Sequence, residues 1–314
     1  MGNYSEPEIK YVTPLNPTLS YSLGLLNMFL IKLKRLIIPY AKIAKTRSLS
    51  NIQDSVQYSI DVVDQWLKVA RIYTNKEEPF LGASILEIGP GPDLGNGLIL
   101  LALGAHSYCA IDLFPFNKDA PPAFYDILLD KIKNYQYESL ACQHYETFKE
   151  KGFSLKFDFI QVPFPSLEGL SPHKFDFIMS NMVWEHIVDL EATLSNLITA
   201  AKPGAIFINK VDLETHGRLR KLDPLNILRY DNRIYQVLKG VETPNRLRGS
   251  DLMQASIKLG LKEAKIIPLK KVNRDYLEVV YPNLSPPFRQ KAEEDLEILE
   301  CWWLAAFPGR HEKE

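Results

Sequence analysis

The segment with the most chemical content is Glu87-Ile88-Gly89-Pro90-Gly91-Pro92-Asp93-Leu94-Gly95. Glycines lack Cβ atoms and let a ligand lie against the backbone, and the helix predicted to follow offers free amides to a carboxylate. Glu87 adds a carboxylate at the mouth of the same loop. About twenty residues on, Asp112 ends the next predicted strand, where an acidic side chain can accept hydrogen bonds from both hydroxyls of a ribose. Glu87, Gly89, Pro90, Gly91, Gly95, Asp112 and the adjoining Leu113 thus outline a cradle for a nucleoside cofactor.

Spacing narrows the choice. Dinucleotide sites usually carry GxGxxG, whereas here the third glycine comes one residue later, as GxGxxxG. The Glu87 carboxylate would crowd a pyrophosphate but suits the cationic amino group of an amino-acid tail. A nicotinamide cofactor, or a glycine turn with no ligand, remains as an alternative.

Two histidines fall beyond later strands. His186 follows Phe175–Met179, and His216 follows Ala205–Ile208, in Val211-Asp212-Leu213-Glu214-Thr215-His216. A histidine can take a proton from an attacking hydroxyl or amine, or can simply bond a carbonyl and hold a loop. Segment 213–249, with no strand pattern and many charges, reads as a substrate cap. Its Arg246 and Arg248 either bind an anionic group or are solvated charge. Trp302 and Trp303, adjacent in a strand, face opposite sides and suit core packing.

The elements that must position these groups alternate. Ser84–Ile88, Tyr108–Ile111, Phe175–Met179, Ala205–Ile208, Ala264–Leu269 and Cys301–Phe307 are short apolar runs of the kind buried in a parallel sheet. Helices are predicted over Leu98–Leu103, Asp251–Leu259 and Arg289–Leu299, with Lys202-Pro203-Gly204 closing another. Alternation of this kind predicts a mostly parallel sheet covered on both faces, with ligands beyond the carboxyl ends of the strands. Ahead of the sheet, Ser50-Asn51-Ile52-Gln53 has the form of a capping box, and Val56, Ile60, Val63 and Leu67 form one helical face. A helix over Tyr21–Ile38, ended by Pro39, packs on the domain in the simpler reading. The apolar, lysine-dotted stretch Leu25–Ile43 allows membrane-surface contact as the alternative.

Composition excludes some classes. Net charge is −1, which lends no support to a nucleic-acid partner. Three scattered cysteines, Cys109, Cys142 and Cys301, with no CxxC pair, point to reduced thiols in a cytoplasmic protein with no structural metal. No secretory signal or myristoylation pattern opens the chain, and no run approaches the roughly 20 apolar residues of a membrane span.

Residues 84–212 resemble the class I S-adenosylmethionine-dependent methyltransferases. Leu86-Glu87-Ile88-Gly89-Pro90-Gly91 is similar to that family's first motif and Asp112 to its ribose-binding acid. Phe175–Asn181 followed by Trp184-Glu185-His186 resembles the fourth strand and its loop, and Lys202-Pro203-Gly204 the turn before the fifth. The resemblance implies S-adenosyl-L-methionine as cofactor and a doubly wound, Rossmann-like α/β sheet of seven mostly parallel strands, the last antiparallel. A helical extension, 1–75, would precede a methyltransferase domain, 76–314, carrying the cap. Gln161, in Asp158-Phe159-Ile160-Gln161-Val162-Pro163, would partner the adenine, with Asp158 as the alternative if the strand ends earlier. Asn181 would border the methyl. His186 and His216 would be the candidate bases for a small-molecule acceptor at O, N or C. A non-catalytic binding protein on the same fold, or a methyltransferase of lipid-like substrates at a membrane surface, are the other readings.

Overall fold

The strand after residue 83 is buried at almost every position, because both of its faces are covered. A computed structural model describes residues 4–38, 49, 51–170, 174–240 and 243–308. In it β2 (Ser84–Ile88) sends Ile85 into one core cluster and Leu86 and Ile88 into another. The remaining strands are β1 (Glu8–Lys10), β3 (Ser107–Asp112), β4 (Phe157–Gln161), β5 (Phe175–Asn181), β6 (Ala201–Asp212), β7 (Lys262–Val272) and β8 (Ile298–Ala306). They form one sheet in the order β1-β7-β8-β6-β5-β2-β3-β4. All neighbours pair in parallel except β8, which runs antiparallel to both β6 and β7.

Helices cover both faces, so the expected doubly wound fold is present. α2 (Ile52–Thr74), α3 (Gly95–Ala102), α4 (Pro122–Ile132) and α5 (Glu138–Lys151) contribute to one core cluster. α6 (Leu190–Ala200) and α8 (Gly249–Lys258) contribute to the other. A third cluster joins Met28 of α1 (Pro17–Ile37) to Leu225, Leu228, Tyr230 and Tyr235, the last on α7 (Asn232–Leu238), and to Tyr276 and Leu277 of α9 (Arg274–Val280). The N-terminal helix and the cap segment therefore share a core of their own.

Several sequence expectations change in detail. The sheet has eight strands rather than seven, because Glu8–Lys10 pairs in parallel with Lys270–Val272. Three residues with no buried position leave no periodic signal. The N-cap of α2 is Asn51, whose side chain accepts from the Asp54 amide; Ser50, Pro39 and the stretch from Lys42 to Ile43 lie outside the described residues. Its buried face centres on Trp66 with Val56, Val62 and Val63, while Ile60 and Leu67 pack only at the margin. Lys202-Pro203-Gly204 lies within β6, since α6 already ends at Ala200. The helix expected over 289–299 is two single turns, Pro286–Arg289 and Glu293–Leu296, followed by β8. There the carbonyls of Asp295, Leu296 and Ile298 turn to the Arg248 guanidinium instead of continuing a helix. Trp302 and Trp303 do enter opposite clusters.

Candidate active site

The chain leaves β2, builds β3 and β4 on one side, then returns to place β5 on the other. The switch point of the sheet therefore lies between β2 and β5, where a crevice opens beyond the strand ends. Gly89, Asp112 and Asn181 stand at or just past the strand ends here.

Gly89 and Gly91 both adopt left-handed φ values, +67° and +81°. A Cβ on Gly91 would meet nothing within 4 Å, which leaves its backbone open to a ligand. A Cβ on Gly89 would lie 2.6 Å from Val183, so the loop after β5 is packed directly against this turn. Pro90 is half-buried between them. Gly95 has another role. It opens α3, buried, where a Cβ would sit 2.8 Å from the Phe124 ring, and its amide donates to Asp93 Oδ1 at 2.9 Å. Close packing therefore explains the third glycine.

Glu87 is buried beneath the loop. Its Oε1 accepts from Asn96 Nδ2 at 2.8 Å and its Oε2 from the Tyr108 hydroxyl at 2.5 Å. Burial pushes its pKa up to about 7, against the pull of those two donors and with a further push from Asp93 and Asp112. A buried carboxyl that half ionises near neutrality, two residues before the turn that opens at Gly91, suits a cationic partner that would complete its ionisation.

Asp112 ends β3. Its Oδ1 accepts from the Phe114 amide at 3.0 Å. Burial raises its pKa to about 6, partly offset by the Phe114 and Leu113 amides. Leu113 is exposed beside it, and its carbonyl accepts from Gln161 Nε2 at 3.0 Å. Gln161 pairs with Asp112 at the last register of β3 and β4, whereas Asp158 pairs with Cys109 within the strand. Of the two sequence candidates, Gln161 is thus the one at the crevice. Asn181 ends β5 and donates to the Tyr58 hydroxyl of α2 at 2.7 Å. Glycine backbone, paired acids and an amide-lined margin fit an adenosyl group with an amino-acid tail.

The two histidines do come together. Their ring centroids are 5.1 Å apart in an edge-to-face arrangement. His186 ends a 3-10 turn, Trp184–His186, that Asn245 clamps by donating to the Trp184 and Ile187 carbonyls at 2.7 and 2.8 Å. His216 stands beyond β6, its Nε2 3.3 Å from Asp212 Oδ2, an ion-pair distance without hydrogen-bond alignment. Asp212 also meets Arg220 at 3.0 Å and accepts from the Glu214 amide at 2.9 Å. Burial alone would raise its pKa, but His216 and Arg220 outweigh burial and hold it below the usual carboxylate range.

Glu185, fully buried beside them, has the opposite fate. Burial first, and the Asp212 charge second, push its pKa well above the carboxylate range, which favours its protonated form. His186 is pushed down to about 4 by burial and by His216, against Asp212, and is therefore neutral. Glu185 Oε2, His186 Nδ1 and His216 Nε2 have no hydrogen-bond partner among the described residues. Ligand-type atoms of the three residues lie within 4.8 Å of one another, a looser bound than the roughly 3.4 Å separation a tetrahedral ion imposes. With the Arg220 cation against the same Asp212, the arrangement suits proton transfer better than ion binding.

Arg246 and Arg248 do not face this crevice as anion ligands. Arg248 is buried, donating to the Leu213, Asp295 and Leu296 carbonyls at 2.8, 3.2 and 3.1 Å and also to that of Ile298. Arg246 donates to the Tyr230 carbonyl at 2.9 Å and lies 3.9 Å over the Tyr235 ring. Both are spent on carbonyls and rings that tie down segment 213–249.

Sequence reasoning missed three members of the site. Glu185 and Asp212 had a signal, since each is an acid just past or at the end of a strand. Tyr58 had none, because a tyrosine on the polar side of a helix reveals nothing of what that helix covers.

A family profile described as a methyltransferase domain matches residues 64–252, from within α2 to within α8. No curated protein matches the chain. Among solved structures, the CurJ carbon methyltransferase is 15% identical at a TM-score of 0.47, with 92% of this chain and 67% of that one covered. Phosphoethanolamine N-methyltransferase 2 of Haemonchus contortus is 13% identical at 0.41, covering 84% and 59%. The N-methyltransferase NodS of Bradyrhizobium japonicum is 12% identical at 0.41, covering 82% and 100%.

Proposed function

The chain belongs to the methyltransferase domain family, with the class I S-adenosylmethionine-dependent fold, and on that premise we propose that it methylates O, N or C of a small molecule. Bound in the crevice, S-adenosylmethionine supplies an electrophilic methyl on a sulfonium centre. Gly89, Pro90 and Gly91 offer backbone to the amino-acid tail, and Glu87 balances its ammonium. Asp112 takes the ribose, Leu113 and Gln161 flank the adenine, and Asn181, held by Tyr58, borders the transferred carbon. Gly95 supports the loop from below.

On the acceptor side, His216 receives the proton. The ionised Asp212 carboxylate at 3.3 Å stabilises the imidazolium that forms. His186, neutral and edge-on to His216, orients the acceptor. Residues 1–75 and 213–249, joined in one core, cover that side as extension and cap. Free, buried Cys109 and Cys301 agree with a cytoplasmic setting.

The observation that carries this reading is the Gly89–Gly91 turn, left-handed and open, packed against the loop that bears His186. Calorimetric titration with S-adenosylhomocysteine tests it. Saturable binding is expected, weakened at least tenfold by Asp112→Ala, which removes charged acceptors worth about 1.5–3 kcal/mol. No binding by the native chain would overturn the reading.

A further inference from the structure

The helix α1 is bound to the rest of the molecule along one narrow face. Ser20, Gly24 and Met28, four residues apart, form it. The Ser20 hydroxyl donates to Asp223, and its carbonyl accepts from Asn226 Nδ2 at 2.9 Å. A Cβ on Gly24 would overlap the Tyr230 hydroxyl, so the helix lies directly on the cap. Met28 is buried in the third core cluster.

Tyr21, its ring 5.1 Å from that of Tyr230, and Leu25 pack beside this face, and the opposite side of the helix carries apolar residues that no described residue covers. Leu19, Leu23, Leu26, Leu30, Leu33 and Ile37 recur at intervals of four and three residues and are 40–81% exposed. Six such residues at that spacing form a continuous apolar stripe along a helix about 32 Å long. Phe29 and Leu36 widen it, and Ile234 and Val237 of α7, also exposed, extend it across the cap, where Lys32 donates to the Val237 carbonyl. A patch of this size on a soluble surface marks an interaction site.

Charge identifies the occupant. Between Glu8 and Asp54 the sequence has no acidic residue, while Lys32 and Lys34 stand on the last turns of the helix and four more basic residues occur in sequence from 35 to 47. A second copy laid on the stripe would add to this positive charge without supplying an acidic residue of the same segment to neutralise it. An apolar stripe bordered by cations matches a lipid surface with anionic headgroups, where acyl chains take the leucines and each basic residue gains from the surface potential. Among the described residues no helix is long and apolar enough to cross a membrane, so the contact lies in the plane of the interface.

We infer that α1 docks the protein onto anionic membrane surfaces, with the cap that covers the acceptor side held at the lipid. The inference does not depend on the methyltransferase reading, although it would favour acceptors presented at a bilayer.

Co-sedimentation of the full chain with phosphatidylcholine vesicles, with and without 30% phosphatidylglycerol, tests it. Binding at least tenfold tighter to the anionic vesicles, reversed by salt, is expected. Leu26→Glu with Leu30→Glu should abolish it, and Lys34→Glu, at an exposed position, should weaken it severalfold. Homocysteine-nucleoside binding by calorimetry on the same preparations reports that each variant is folded and stands or falls separately. No sedimentation with anionic vesicles overturns the inference. So does unchanged sedimentation of the double variant, or a dimer in sedimentation velocity that the double variant dissociates.

Discussion

Glu87→Gln separates what the cofactor loop does for the fold from what it does for the ligand. In the folded protein the carboxyl titrates near 7 rather than at its ordinary 4.5, chiefly because it is buried. A raised carboxyl pKa favours the protonated native state. Its stabilising effect is full below about 4.5 and is lost as pH rises through about 7. Moving a carboxyl from 4.5 to about 7 corresponds to about 3 kcal/mol at 1.36 kcal/mol per tenfold. Glutamine is neutral throughout, accepts from Asn96 through Oε1 and donates to the Tyr108 hydroxyl through its amide, so both contacts survive. The variant should match the native protein near pH 4.5 and become more stable than it by up to about 3 kcal/mol above pH 7.5. At about 2.1 cal/mol/K per residue over 314 residues, that is a rise in Tm of roughly 5 °C. Asp112, raised to about 6 by burial, is common to both proteins and enters the difference only through its coupling to Glu87. Thermal unfolding of the ligand-free pair from pH 4.5 to 8.5 measures the effect, and calorimetry with S-adenosylmethionine measures its counterpart. A cationic ammonium above Glu87 should expel roughly half a proton at pH 7 from the native protein and none from the variant, which should bind more weakly. A stability gap that does not change with pH, or equal proton release from both proteins, would refute the placement of Glu87.

Two further substitutions probe the acceptor side and the cap. His216→Asn should lower kcat by 10²–10⁴, roughly the range for a lost general base, while S-adenosylhomocysteine affinity stays within about twofold; steady-state kinetics and calorimetry measure the two. Arg248→Met should destabilise the protein by about 3 kcal/mol or more, because the buried carbonyls of Leu213, Leu296 and Ile298 lose their donor. Urea unfolding would register this as a lower midpoint with an unchanged slope.

The two halves of the candidate site differed in how far the sequence disclosed them. The cofactor half is local. Gly89, Gly91 and Asp112 owe their positions to adjacent strand ends, so strand periodicity and glycine spacing disclose them together. Spacing does not disclose what Gly95 does, because a glycine demanded by Phe124 looks the same in sequence as one demanded by a ligand. The acceptor half depends on contacts far apart in sequence: His186 against His216, Asn245 against the Trp184 turn, Tyr58 against Asn181. Periodicity says nothing of such pairs. Arg248 shows the same limit, since nothing in Asn245-Arg246-Leu247-Arg248 distinguishes a guanidinium buried on carbonyls from a solvated one.

This division has a structural consequence. Lys10 of β1 bonds to Glu214, two residues beyond Asp212, and Lys270 of the neighbouring strand meets the same carboxylate at 2.9 Å. The three-residue edge strand that the sequence concealed thus anchors the loop carrying His216, while α1 beside it lies on the cap through Asn226 and Tyr230. Whatever positions β1 and α1 is therefore coupled to the loop carrying His216 through Glu214 and segment 213–249. Removing the anchor with Lys10→Met should accordingly alter kcat and acceptor KM while leaving cofactor affinity intact. An equal loss of cofactor affinity would show that the two halves are not mechanically separate.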